Sequence, residues 1–114
     1  MSDCIFCQIA AGKIPAKKVG ETTHVLAFRD NNPQAPTHVL LIPKEHVADS
    51  VRDLGPQHMT MLTELIGLAQ KVARDERLDL GWRLVTNVGA EAGQSVNHLH
   101  VHLLGGRSMR WPPG

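Results

Sequence analysis

The stretch NHLHVHLLGGR, residues 97–107, sets His98, His100 and His102 in strict alternation with Leu99, Val101 and Leu103. Alternation is the period of a β-strand, whose successive side chains point to opposite faces. The pattern therefore predicts a strand with three imidazoles on one face and an aliphatic set on the other. Neighbouring imidazoles then start roughly 6.6 Å apart at Cα, close enough to share one small substrate or for two of them to hold one metal.

Working outward, GQS at residues 93–95 lies in a glycine-containing loop just before the histidines. A glycine there lets backbone approach a ligand closely, and successive amides in such a turn form an anion nest. Ser95 offers a hydroxyl to a leaving group. Upstream, LGWRLVTN reads as another strand, preceded by Gly81 as a helix stop. The segment after Pro56 repeats apolar residues at three and four (Leu62, Leu65, Ile66, Ala69, Val72, Ala73), which predicts a long helix with one buried face. THVLAFRD and THVLLIPK are short apolar runs separated by the proline-stiffened NNPQAP, and read as two strands. CIFCQIAAG reads as a short helix ending near Gly12, with Ile5, Phe6 and Ile9 on one side. The order, short helix, strands, long helix, strands, predicts an α+β domain on an antiparallel sheet.

The whole chain suits one domain, 1–114, with a single core. Its 42% hydrophobic and 20% charged residues are ordinary for a soluble globular protein. A formal net charge of +1 gives no electrostatic case for nucleic acid or a membrane surface as partner. No run has the length of a membrane span, and the N-terminal apolar run is too short for a signal peptide. A cytoplasmic address is the expectation, with the two cysteines reduced.

Seven histidines and a Cys4-x-x-Cys7 pair need a local explanation. The cysteine spacing supplies half of a zinc site, and it also fits a redox pair or two core residues. Two further ligands would have to be histidines, drawn from His24, His38, His46, His58, His98, His100 and His102. The alternating histidines themselves fit either a metal site or covalent catalysis. An unperturbed imidazole, with a pKa of about 6.5, is mostly neutral and nucleophilic at physiological pH.

HLHVHLLGGR, FRDNNPQAPTHVLLIPKEH, NVGAEAGQSVNHLHVH and the terminal WPPG, in this order, resemble the histidine triad family and its Hint branch, from about Ile5 to Gly114. The resemblance implies a five-stranded antiparallel sheet with one long and one short helix, and a homodimer. It implies binding of purine nucleotides and cleavage of nucleoside 5′-phosphoramidates through a nucleotidyl-histidine, with no catalytic metal. Position by position, His100 matches the nucleophile, His102 a ligand of the phosphate oxygens, and Ser95 a group near the scissile nitrogen. Gly93, Gln94 and Asn87 match the phosphate border, and Asp30 the ribose carboxylate. Ile5, Phe6, Ile9 and Phe28 match the purine slot. His38 matches a histidine that supports the nucleophile, and Trp111 a tail residue reaching the partner subunit's site. The Cys4-x-x-Cys7 pair resembles a zinc-bearing subgroup in which the other ligands of a structural zinc match His46 and His98. Asn31 departs from the family pattern, which usually has an apolar residue there. A nucleotide-binding regulatory or scaffold protein with incidental hydrolysis is the alternative function, and an intact Ser95, His98, His100, His102 set favours the enzyme.

Overall fold

A computed structural model describes residues 3–114. In chain order the elements are α1 (Ile5–Ala10), β1 (Lys18–Glu21), β2 (Val25–Arg29), β3 (Thr37–Pro43), α2 (Met59–Asp75), β4 (Trp82–Val85) and β5 (Val101–Gly105). Short 3-10 turns occupy Val51–Asp53, Pro56–His58 and Ala90–Ala92. The five strands form one antiparallel sheet in the order β1-β2-β3-β5-β4, leaving β1 and β4 at the edges. This is the α+β architecture predicted from the element order.

The central strands β2 and β3 are buried along nearly their whole length, because both faces of the sheet are covered. On one face Val25, Ala27, Val39, Leu41, Val101 and Leu103 pack against Leu65, Leu68, Ala69, Val72 and Ala73 of α2. Burying each such aliphatic side chain contributes about 1.5–3 kcal/mol. On the opposite face Leu26, Phe28, Leu40 and Ile42 pack against Phe6 and Ile9 of α1. His38 and His102 fall on that second face: Leu40 pairs with His102, and His38 with Leu104. The first face is thus sealed by a long helix, and the second is only partly covered by a short one.

Four expectations are corrected. Pro56 opens a 3-10 turn and α2 begins three residues later, at Met59. Within α2, Ile66 is exposed and Leu62 only half-buried, while Leu68 supplies the core contact. The helix is stopped by Arg77, not by Gly81. Arg77 takes a left-handed backbone (φ 58°), its N–H meets the Arg74 carbonyl at 3.0 Å, and the Leu78 N–H meets that of Ala73 at 3.0 Å. That pair of bonds is the Schellman cap, and it turns Leu78 back onto the sheet. There Gly105 leaves the room: a Cβ on it would come within 2.7 Å of Leu78. Fourth, β5 begins only at Val101, so His98 and His100 precede the strand. Their backbone partners lie elsewhere. The Leu99 N–H donates to the Ala48 carbonyl at 2.9 Å, and the His100 carbonyl accepts from Thr86 Oγ1 at 2.8 Å.

Candidate active site

His98 is fully buried, and it serves two neighbourhoods. Its Nε2–H donates to the Pro43 carbonyl at 2.9 Å, which leaves Nδ1 bare. That Nδ1 faces Cys4 Sγ at 3.1 Å and Cys7 Sγ at 3.5 Å. His46 mirrors it from the other side. The Asp49 carboxylate holds its Nε2 at 2.7 Å, and its Nδ1 lies 3.8 Å from Cys7 Sγ. All four ligand atoms of Cys4, Cys7, His46 and His98 lie within 4.8 Å of one another.

Tetrahedral zinc with two thiolates and two imidazoles separates its ligand atoms by roughly 3.3–3.8 Å. The observed sulfur–nitrogen distances bracket that range, and each imidazole has its distal nitrogen oriented by an oxygen, as metal-bound histidines do. The donor set therefore fits a zinc ion, and these four residues are the ones that could hold it. Cys4 also caps α1, accepting from the Cys7 N–H at 3.4 Å. Burial opposes its ionisation, but hydrogen bonds from Cys7 and His46 outweigh burial and hold the thiol below its ordinary value. His98 is pushed down, chiefly by burial, so it is a neutral ligand; Asp49 pushes His46 up, so metal there must displace a proton.

The second neighbourhood begins at the His98 carbonyl. It accepts from His100 Nδ1 at 2.8 Å in a buried bond, so the proton of His100 sits on Nδ1 and Nε2 keeps its lone pair. The order is reversed at His102. The Gln34 N–H donates to His38 Nδ1 at 3.0 Å, which places the His38 proton on Nε2. His38 Nε2 reaches His102 Nδ1 at 2.9 Å and Asp30 Oδ2 at 3.4 Å. His102 Nδ1 is therefore an acceptor, and its own proton sits on Nε2. Burial, then the neighbouring His100 and His38, lowers His102 to about 4, and burial lowers His38 against the pull of Asp30. Both are neutral at pH 7. The ring centroids of His100 and His102 are 5.1 Å apart, and those of Phe6 and His100 also 5.1 Å. Two neighbouring imidazoles thus carry opposite tautomers: one has a bare Nε2, the other an Nε2–H.

A cavity of about 220 Å³ lies beside them, lined by Ile5, Phe6, Ile9, Phe28, Leu40, Asp30 and Asn31 among others. It is smaller than the roughly 300–1,000 Å³ typical of whole-ligand pockets, a size for one flat ring system. A larger cavity of about 550 Å³, lined by Leu80, Trp82, Arg83 and Arg107, sits at the far end of β4 and β5. No histidine lines either cavity, but the walls of the smaller one include Phe6, which packs on His100, and Asp30, which pairs with His38.

Residues 11–109 match the HIT domain family. The chain belongs to the HIT family. A 14 kDa zinc-binding protein of Zea mays is 50% identical over 99% of this chain and 89% of its own length. An adenylylsulfatase of Arabidopsis thaliana is 47% identical over 99% of this chain and 78% of its own. The crystal structure of a HIT family hydrolase from Legionella pneumophila superimposes with a TM-score of 0.94 at 50% identity, covering 98% of this chain and 100% of that one.

This HIT protein places the remaining expected residues less uniformly. Asn87 follows β4 half-buried, and Ser95 is exposed in the loop that leads to the histidines. Gly93 in that loop has a left-handed backbone (φ 88°). Trp111 is 83% exposed on the tail. His38 donates its Nε2–H to His102 Nδ1, and the group on His100 Nδ1 is the His98 carbonyl. The Gln94 side chain is turned into the protein. Its Oε1 accepts from the Gly89 N–H at 3.0 Å, and its Nε2 donates to the carbonyls of Asp49 at 2.7 Å and Val96 at 3.0 Å. Sequence reading missed Asp49, Pro43 and Gln34 as orienting groups. Only Asp49, three residues after His46, left a signal in the sequence. Among the described residues no helix is long and apolar enough to cross a membrane.

Proposed function

We propose that this HIT protein is a purine nucleotide hydrolase that cleaves the P–N bond of nucleoside 5′-phosphoramidates. The observation that carries the reading is the opposed tautomer pair. The bare Nε2 of His100 attacks the α-phosphorus; the P–Nε2 bond forms and the P–N bond to the amine breaks. The His98 carbonyl offsets the positive charge that develops on the ring. His102 Nε2–H donates to a phosphoryl oxygen before and through the transition state, with no reorganisation. Ser95 gives the departing amine its proton. Water then attacks the nucleotidyl-histidine, releases the nucleoside monophosphate and restores His100, with its proton returned to Ser95. Ile5, Phe6, Ile9 and Phe28 hold the base, Asp30 the ribose, and Gly93 and Asn87 the phosphate side.

Zinc at Cys4, Cys7, His46 and His98 supplies a structural clamp between α1 and the segment before β5. The name of the Arabidopsis relative points to the same adenylyl group with a sulfate leaving group. The amine is the leaving group of this reading because the Ser95 hydroxyl, in the loop before the histidines, offers the proton that an amine needs and a sulfate does not. A second copy of the chain pairs along the open edge of β4, which presents Trp82, and Trp111 reaches toward its site.

Rapid quench with phosphorus-labelled adenosine phosphoramidate tests the reading. Label is expected on His100, and His100→Gly should abolish turnover while adenosine monophosphate still binds. Turnover within tenfold of the native rate, or label on another residue, contradicts it. A kcat/KM for adenylyl sulfate far above that for the phosphoramidate reassigns the leaving group.

A further inference from the structure

The metal cluster and the loop that bears Gly93 and Ser95 are joined by the side chain of Gln94. Gln94 spends every hydrogen-bonding group of its amide inside the protein. Gly89 and Val96 are partners within the loop before the histidines, and the Asp49 carbonyl is the partner outside it. Asp49 is also the residue whose carboxylate holds His46. A second tie, from Leu99 N–H to the Ala48 carbonyl, joins the same two segments next to His98. The segment 46–49 therefore touches the cluster through His46 and touches the loop bearing Gly93 and Ser95 through Gln94. Its Oε1 also accepts from the Gly89 N–H at 3.0 Å, where that loop begins and the backbone takes a positive φ of 85°.

We propose that Gln94 is a positioning residue that transmits the placement of the metal loop to the phosphate loop, so that metal at the four-ligand cluster holds Ser95 and the Gly93 backbone in their working positions. The inference rests on the phosphoramidase reading for its kinetic arm only. An ordered anion nest costs no reorganisation during the reaction, whereas a loop that samples open states must close in every turnover. Without the amide the loop keeps its backbone bond from Gln94 N–H to the Gly89 carbonyl, at 3.1 Å, and loses the outside tie.

Two variants separate the contacts. Gln94→Met keeps the length and removes all three side-chain bonds. Gln94→Glu keeps an acceptor for the Gly89 N–H and loses both donors. Amide hydrogen exchange across residues 89–97 is measured with one equivalent of zinc(II) and after chelation, beside kcat and KM. In the native protein, zinc should slow exchange of the Gly89 and Gln94 amides by about tenfold, the weight of one hydrogen bond. In Gln94→Met that zinc dependence should shrink below about twofold, with zinc still bound one per chain. kcat should fall by about tenfold with KM nearly unchanged, since the base slot is untouched. Gln94→Glu should keep Gly89 protected and still lose the zinc dependence. Exchange that ignores zinc in the native protein, zinc dependence that survives in Gln94→Met, or loss of zinc from that variant each overturns the proposal. If phosphoramidates prove not to be substrates, the exchange result stands alone and decides it.

Discussion

The two faces of one sheet are built to opposite ends. The α2 face is closed by an aliphatic cluster, with buried Thr37 and the Arg29–Glu76 pair (2.7 Å) at one end, and its order rests chiefly on burial. The α1 face carries His38, His98, His100 and His102 around Phe6, and its order rests on directed hydrogen bonds. β5 serves both at once, with Val101 and Leu103 on one side and His102 on the other. The apolar face tolerates any occupant of similar shape. The histidine face works only if each ring nitrogen has its proton on the correct side. Stability and chemistry are thus separable along a single strand.

The comparison can be broken from either side. After loss of the nucleophile itself, the largest effect is expected at His102. His102→Gln should cost about 10²–10³ in kcat, the loss of one preorganised donor, with stability changed by less than about 1 kcal/mol. Stopped turnover assays and denaturant melts together check it. On the other face, Leu65→Ala should cost about 3 kcal/mol of stability and leave the rate per folded molecule unchanged. Denaturant midpoints corrected for folded fraction measure that pair of outcomes. A large rate loss from Leu65→Ala would mean that the faces are coupled through the sheet.

A third, smaller effect sharpens the contrast through pH. Burial lowers His102 to about 4, and also lowers His38 and His98, below their ordinary values. The unfolded chain takes up protons near pH 6.5 that these folded groups refuse. Stability from them is fully present above about 6.5 and is lost as pH falls toward 4. His46, raised by Asp49, acts with the opposite sign, and metal at the cluster removes its contribution. Melts of the zinc-loaded protein should therefore weaken from pH 7.5 to 5, and His102→Gln should flatten the slope. A flat native profile would contradict the buried neutral network.

Much of this was legible in the residues, for identifiable reasons. The runs VLAF and VLLI read as strands because both of their faces are covered, and the three-and-four spacing of α2 marked its buried side. β1 was not legible: KVGE is four residues with one glycine, and only Val19 packs on the core. The histidine alternation pointed to the correct face but overstated the strand, because the backbone of residues 98–100 bonds to Ala48, Thr86 and an imidazole instead of a ladder. Spacing offered half a zinc site, and only the fold brings His46 to Cys7. Roles that depend on a backbone carbonyl or amide, as at Pro43, His98 and Gln34, leave no trace in side-chain identity.

The central claim is that His100 and His102 carry their protons on opposite ring nitrogens. Nitrogen NMR of the zinc-loaded protein with labelled histidine, at pH 7, reads this directly. The account predicts a proton on Nδ1 of His100 with Nε2 bare, and a proton on Nε2 of His102 with Nδ1 accepting from His38. A His100 protonated on Nε2, or a doubly protonated His102, would contradict it.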